Sequence, residues 1–218
     1  MNRNEHWRAA FALAAASACG IAESKPIAYA HGTTVMAEYG AGTMTELQVF
    51  YAPRYFLSAG AGYLTLESEL DASKVDIAYA RLNYLVKRWN LDDAQANVFA
   101  WGGAGNARID DSRNELAWNA GMQFDFETRR IYASAKSDYH DGQSFSHRID
   151  TVQLGVAPYR HDYEGLATWF VVQGRNYTGG IRENVEWALL LRLFKGSAWI
   201  EAGPTTDGKL QAMFMVNF

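Results

Sequence analysis

Four histidines lie beyond residue 30: His31, His140, His147 and His161. Two precede aspartates, in His140-Asp141 and His161-Asp162, and His147 follows Ser146, with Ser144 and Asp150 close by. These residue types ligate borderline metal ions or move protons in acyl transfer. A hydrolase needs a nucleophile, a base and an orienting group within hydrogen-bond reach. Ser146, His147 and Asp150 or Ser144 form the one local cluster of that kind. On an extended chain, however, neighbours point to opposite faces, so Ser146 and His147 cannot bond directly. His140 and His147 fall at one end of a hairpin and His161 at the other, which separates a three-histidine metal set. They read as exposed loop residues beside turn aspartates, with weak metal capture as the alternative. His31 is a separate candidate. If the chain is cut after Ala30, the new amino terminus and the ring of His31 form a chelate for copper or zinc.

A second group consists of charges spaced by two. Asp125, Glu127, Lys136, Asp138, Glu186 and Arg192 fall on the strand faces opposite bulky apolar side chains. Inside a closed structure such charges would either fill the interior as a salt-bridge network or line a narrow selective channel. G-x-G pairs at Gly40, Gly60 and Gly103 suggest nucleotide loops, but no helix follows any of them. The glycines instead make room for inward aromatics. No catalytic residue and no resident cofactor is expected, and the chain is not read as an enzyme.

The elements that must position these residues are strands. Leu116, Trp118, Ala120, Met122, Phe124 and Phe126 alternate with Ala117, Asn119, Gly121, Gln123, Asp125 and Glu127. A helix would scatter the apolar set around its circumference. The pattern recurs at Leu47–Tyr51, at Val152–Val156, at Val185–Leu193 and at Leu210–Phe218. Turn residues punctuate the runs, as in Asp92-Asp93, Asp141-Gly142, Gly179-Gly180 and Asp207-Gly208. About twelve strands are predicted, starting near residues 33, 44, 55, 74, 95, 114, 129, 147, 164, 184, 197 and 209. Ten is the alternative. No linker divides the chain.

The first thirty residues read as an export signal: Arg3 and Arg8, an apolar run from Ala9 to Ala22, then Ala28-Tyr29-Ala30. That run is too short to span a bilayer as a helix. Cleavage is expected after Ala30, with Ala22 and Ala18 as alternatives. The only cysteine, Cys19, lies in this segment. A lipoprotein acceptor role is the lesser reading for it, because Ala16 stands where a larger aliphatic is usual. Residues 31–218 form one domain.

The 218 residues are 49% hydrophobic and 20% charged, with a formal net charge of −4. This excludes a helical membrane protein and a disordered chain, and a mildly acidic balance offers no footprint for nucleic acid. The apolar faces are bulky and aromatic while the opposite faces carry Gly, Asn, Gln, Glu and Arg. That is the order of a lipid-facing wall around a polar lumen. Trp89, Trp101, Trp118, Trp169, Trp187 and Trp199 remain after cleavage, several near predicted strand ends where the lipid boundary would lie.

The chain ends Lys209-Leu-Gln-Ala-Met-Phe-Met-Val-Asn-Phe218, an alternating strand closed by an aromatic. This resembles the C-terminal strand of bacterial outer-membrane β-barrel proteins. The resemblance implies a Gram-negative outer membrane and makes Phe214, Val216 and Phe218 the assembly signal. It also implies the barrel-assembly machinery as a partner during insertion and outer-membrane lipids as the surroundings. The expected fold is an all-β, antiparallel up-and-down barrel with short loops, present as a monomer. A barrel of this size is too narrow for an open general pore unless its interior is sparsely filled. The expected function is a narrow channel or transport-associated component for ions or small solutes. A non-conducting structural or interaction barrel is the alternative, with a lipid-modifying enzyme or metal-binding barrel behind it.

Overall fold

The computed structural model describes residues 27, 29–111, 113–160 and 165–218, with nothing stated of the Arg113 side chain. Residues 1–26 and 28 of the expected export signal, with Cys19, and His161 lie outside the described residues. The rest folds as twelve strands: β1 Thr33–Gly40, β2 Met44–Arg54, β3 Leu57–Glu67, β4 Lys74–Asn90, β5 Ala94–Ile109, β6 Arg113–Thr128, β7 Ile131–Asp141, β8 Ser146–Val156, β9 Ala167–Tyr177, β10 Glu186–Lys195, β11 Ala198–Pro204 and β12 Leu210–Asn217. Each pairs antiparallel with its neighbours in sequence, and β12 pairs with β1 to close the barrel. Closure is sealed by the last residue. The Thr33 amide donates to the Phe218 carbonyl at 2.6 Å, and the Phe218 amide returns a bond to Thr33 at 3.0 Å. The predicted strand starts fall within three residues of these, and the ten-strand alternative is excluded.

The termini share one end of the barrel with the connections after β2, β4, β6, β8 and β10. The other end, the loop end, carries the turns after β1, β3, β5, β7, β9 and β11. Four of the five connections at the termini end are two or three residues long and the fifth, β8–β9, spans residues 157–166, whereas at the loop end β3–β4 and β9–β10 span residues 68–73 and 178–185.

Alternation sorts the side chains. Leu82, Tyr84, Met122, Phe124, Val152, Leu154, Leu189 and Leu191 face outward and are exposed, Leu154 by 68%. Their neighbours in sequence face inward and are buried, including Arg81, Asn83, Gln123, Asp125, Thr151 and Arg192. Two of the inward glycines make space for rings on the next strand. A Cβ on Gly121 would stand 2.5 Å from the Trp101 indole, and one on Gly62 would collide with the Tyr79 phenol. Gly121→Ala is therefore expected to cost about 1–3 kcal/mol by overpacking. Gly102→Ala, which meets only a backbone oxygen at 3.8 Å, is expected to be near neutral. Urea titration of the two variants in lipid vesicles reads the difference.

Candidate functional site

The middle of the lumen is a belt of charged and polar side chains drawn from non-adjacent strands. Arg81 on β4 places Nη1 3.3 Å from Asp138 Oδ2 on β7. Its guanidinium lies over the rings of Phe50, Tyr79 and Trp101, at 5.0, 5.2 and 5.3 Å. Trp101 donates its indole N–H to Asp138 Oδ1 at 2.9 Å, and Lys136 Nζ stands 3.7 Å from Oδ2. Tyr79 donates to Glu46 at 2.5 Å and accepts from Gln48 at 3.0 Å. Arg175 on β9 pairs with Glu38 on β1. Arg192 on β10 donates to Glu201 at 2.6 Å and to Gln153 at 2.9 Å, sandwiched between the rings of Tyr132 and Trp199 at 4.3 Å each. Buried charges persist only when paired and hydrogen-bonded, and these pairs span the lumen as struts. They leave a cavity of about 90 Å³ lined by Glu38, Glu46, Arg81, Lys136, Asp138, Gln153 and Arg175 among others. That is room for a handful of waters and no more.

Apolar side chains close the lumen differently at its two ends. At the termini end they form two separate clusters on facing walls. One is Tyr132, Trp169, Val171 and Leu190; the other is Ile27, Ala52, Leu85, Phe99 and Trp101. Asn97, Asp125 and Glu127 add buried polar groups there, with Asn97 donating to Asp125 at 2.6 Å. At the loop end a single cluster joins Met44, Leu64, Leu66, Ile77, Tyr79, Ile149 and Tyr177 from around the circumference, with Ile181 completing it. Ile181 comes from no strand. It sits on the β9–β10 connection, residues 178–185, which crosses the mouth as a strap to the β3–β4 loop on the opposite wall. The Glu69 amide donates to the Ile181 carbonyl at 2.9 Å, and the Ser68 hydroxyl to the Gly180 carbonyl at 2.9 Å. Gly179 and Gly180 both hold positive φ, 78° and 81°, which lets the strap bend inward.

Ion pairs latch the strap. Arg182 reaches Glu69 at 3.0 Å and Glu186 at 3.3 Å, and also pairs with Asp207. Lys209 reaches Glu69 at 2.7 Å, and Thr43 donates to the same carboxylate at 3.2 Å. Partial burial pushes the Glu69 carboxyl up, but Lys209, Arg182 and Thr43 together hold it below its ordinary value. Next to it, the hydroxyl and amide of Ser73 depress Asp71 to about 2.

The residues singled out from sequence fall as follows. Lys136, Asp138 and Arg192 lie in the belt, and Glu186 lies just below the latch. Asp125 and Glu127 are buried inside toward the termini end. The other charges of the belt, Glu38, Glu46, Arg81, Arg175 and Glu201, were not singled out. Glu46 did stand on the polar face of its strand, but Arg81 and Arg175 sit among small residues whose alternation is faint. His140 corrects the expectation of an exposed loop position, and His147, expected to open a strand but to stand exposed, is buried. β7 runs on to Asp141 and β8 begins at Ser146, so both histidines sit on strands, face inward and are 1% and 8% exposed. Ser146 faces outward and bonds to the Tyr139 hydroxyl at 2.8 Å, while Asp150 bonds to Ser137 and Arg148. Ser144 bonds to Glu115 at 2.8 Å. These residues therefore make no Ser-His-Asp relay. His31 lies outside at the termini end, its Nδ1 3.4 Å from the Tyr51 hydroxyl. No three His, Cys, Asp or Glu side chains converge as a metal set among the described residues.

The outer surface decides the surroundings. Around the circumference, Leu47, Val49, Leu82, Met122, Phe124, Val152, Leu154, Phe170, Val172, Leu189, Leu191, Ile200 and Phe214 are exposed. Tyr39, Tyr63, Trp118 and Trp187 lie toward the loop end of this band, and Tyr51, Tyr84 and Trp89 toward the other. Soluble monomers rarely expose apolar surface on this scale, and an apolar band between aromatic girdles around a closed barrel fits lipid. The wall is that of a transmembrane β-barrel. Its tryptophans divide between two roles that the sequence did not separate: Trp89, Trp118 and Trp187 face out, whereas Trp101, Trp169 and Trp199 are buried inside.

No protein-family model matches the sequence, and no curated protein matches it. Among solved structures the barrel is similar to the KdgM porin, including that porin in complex with disordered oligogalacturonate. Identity is 8% over 85% of this chain and 96% of that one, with a TM-score of 0.46. It is also similar to a loop L8 deletion mutant of OmpT, an outer-membrane protein of Vibrio cholerae. There identity is 9% over 86% and 97% of the two chains, with a TM-score of 0.33. At such scores the assignment stands on the wall of this barrel alone.

Proposed function

We infer that the barrel is a narrow gated channel for small ions and the smallest polar solutes, with the strap as its gate. The observation that carries this reading is the origin of Ile181. The seal at the loop end is completed by a hinged, ionically latched loop and not by the wall, so it can be withdrawn without disturbing a strand. Beneath it lies a polar path: the belt, its cavity, and the gap between the two apolar clusters. A barrel built only as a scaffold would need no such division between wall and cover. The loop end is read as facing outward, because four of the five connections at the termini end are two or three residues long and short turns belong on the periplasmic side of such barrels. Inward carboxylates (Glu38, Glu46, Glu115, Asp125, Glu127, Asp138, Glu186, Glu201) outnumber inward cations (Arg81, Arg88, Lys136, Arg175, Arg192). A lumen of that sign favours cations over anions.

Reconstituted proteoliposomes under a potassium chloride gradient test this. The expected result is a cation-selective leak with exclusion of disaccharides; absence of ion flux under every condition that releases the strap supports the non-conducting alternative instead. Acid is one such condition. Glu69 is charged at neutral pH and its folded value is depressed, so the latch is complete above the ordinary carboxylate value of about 4 and is lost as pH falls through the lower one. Ion flux is therefore expected to rise below about pH 4 and to return on neutralisation. An equal flux at pH 7 and pH 3 contradicts the latch.

A further inference from the structure

Asn119, His140 and His147 occupy one row of the sheet, His140 opposite Asn119 on β6 and opposite His147 on β8. All three face inward and are buried. Between them they hold the densest group of unsatisfied polar atoms among the described residues. Both amide atoms of Asn119, both ring nitrogens of His140 and Nδ1 of His147 lack a hydrogen-bond partner. Native structures rarely leave one such atom buried and unpaired, and a row of them calls for an ion or water. His140 Nε2 lies 3.5 Å from Asp138 Oδ1, and Asp138 is itself held by Trp101, Arg81 and Lys136. A carboxylate behind one nitrogen of an imidazole is the arrangement that orients a metal-binding histidine, leaving the other nitrogen to the ion.

We propose that Asn119, His140 and His147 form a binding site for one borderline transition-metal dication such as zinc or copper. Directly opposed residues have Cβ atoms about 5 Å apart, which lets two imidazoles reach a common ion at about 2 Å. Imidazole nitrogen with an amide oxygen is a donor set for zinc, copper or nickel and not for calcium or magnesium. His140 gives Nδ1, Asn119 gives Oδ1, and water from the belt cavity, which His140 also lines, fills the remaining positions. The strap roofs the site, since a Cβ on Gly179 would stand 2.5 Å from His147 Nδ1. An ion held there competes with the closed seat of the strap. The site rests on the barrel architecture and not on conduction.

The test is isothermal titration of the untagged, folded protein with zinc at pH 7.5, repeated with copper for spin resonance. One equivalent is expected to bind, with nitrogen couplings from two imidazoles. His140→Gln or His147→Gln should weaken binding at least tenfold, and the double variant should abolish it, while His31→Ala and His161→Ala leave it unchanged. Asp138→Asn should weaken it about tenfold by releasing the ring of His140. Asn119→Asp, which supplies a charged oxygen, should tighten it and guards against a folding defect in the histidine variants. No binding, binding that survives the double variant, or binding lost with His31 or His161 overturns the proposal. So does an unchanged affinity in Asn119→Asp.

Discussion

Arg192→Met is expected to destabilise the barrel by about 3–5 kcal/mol, the cost of breaking a buried pair from one side. Arg192 and Glu201 are each about 3% exposed at the side chain, and the guanidinium is clamped between two aromatic rings. Its removal leaves the Glu201 carboxylate with the Gln153 amide at 3.1 Å, a neutral partner for a buried charge. Methionine fills the volume, so the loss reports charge and not a cavity. Arg192→Met combined with Glu201→Met should recover most of it, because the unpaired charge is gone. Urea titration of folding into lipid vesicles measures all three. A single-variant loss below about 1 kcal/mol would mean that lumen water carries the Glu201 charge unaided.

Arg182→Ala is expected to free the strap while leaving the wall intact. The side chain is 8% exposed and serves three carboxylates, two of them partly in water. Solvent-screened pairs contribute only tenths of a kcal/mol to about one each. The set together is then worth about 2 kcal/mol, or roughly thirtyfold in the population of the lifted strap. Hydrogen exchange reads this directly. The Glu69 amide, which donates to the Ile181 carbonyl of the strap, should exchange faster by that factor. Amides of β4 and β5 should not change. Arg182→Lys keeps the charge but not the forked geometry and should fall between. Equal exchange in all three proteins would show that backbone bonds alone hold the strap.

The barrel was legible because lipid and lumen impose opposite demands on alternate residues. β6 states this over its whole length, from Leu116 to Phe126, and its boundaries follow. The chemistry of the interior was less legible. Glu186 and Arg192 stood out because they interrupt runs of leucine and tryptophan. Arg81 and Arg175 sit beside alanine and glycine, where the alternation that marks a lumen position is weak. His140 was read as a loop residue and His147 as an exposed residue at the very start of a strand, because turn-forming neighbours surround them. Only the pairing register shows that β7 and β8 extend far enough to turn both inward. The tryptophans misled in the same way. Trp101, Trp169 and Trp199 are as apolar as lipid-facing residues but fill the lumen, and size alone does not say on which side of a wall a ring lies. The strap could not be foreseen at all, because Gly179-Gly180 marks a turn without saying what it crosses.

Single-channel recording in planar bilayers, comparing the native barrel with Arg182→Ala in the same membrane and salt, tests the gate most directly. The account predicts brief, small, cation-selective openings for the native protein and the same unit conductance at much higher open probability for the variant, since the strap has been freed and the belt left in place. A variant as silent as the native protein, or one with a larger unit conductance, would contradict it. The first result would mean that the lumen is sealed below the strap, and the second that the belt does not set the width of the path.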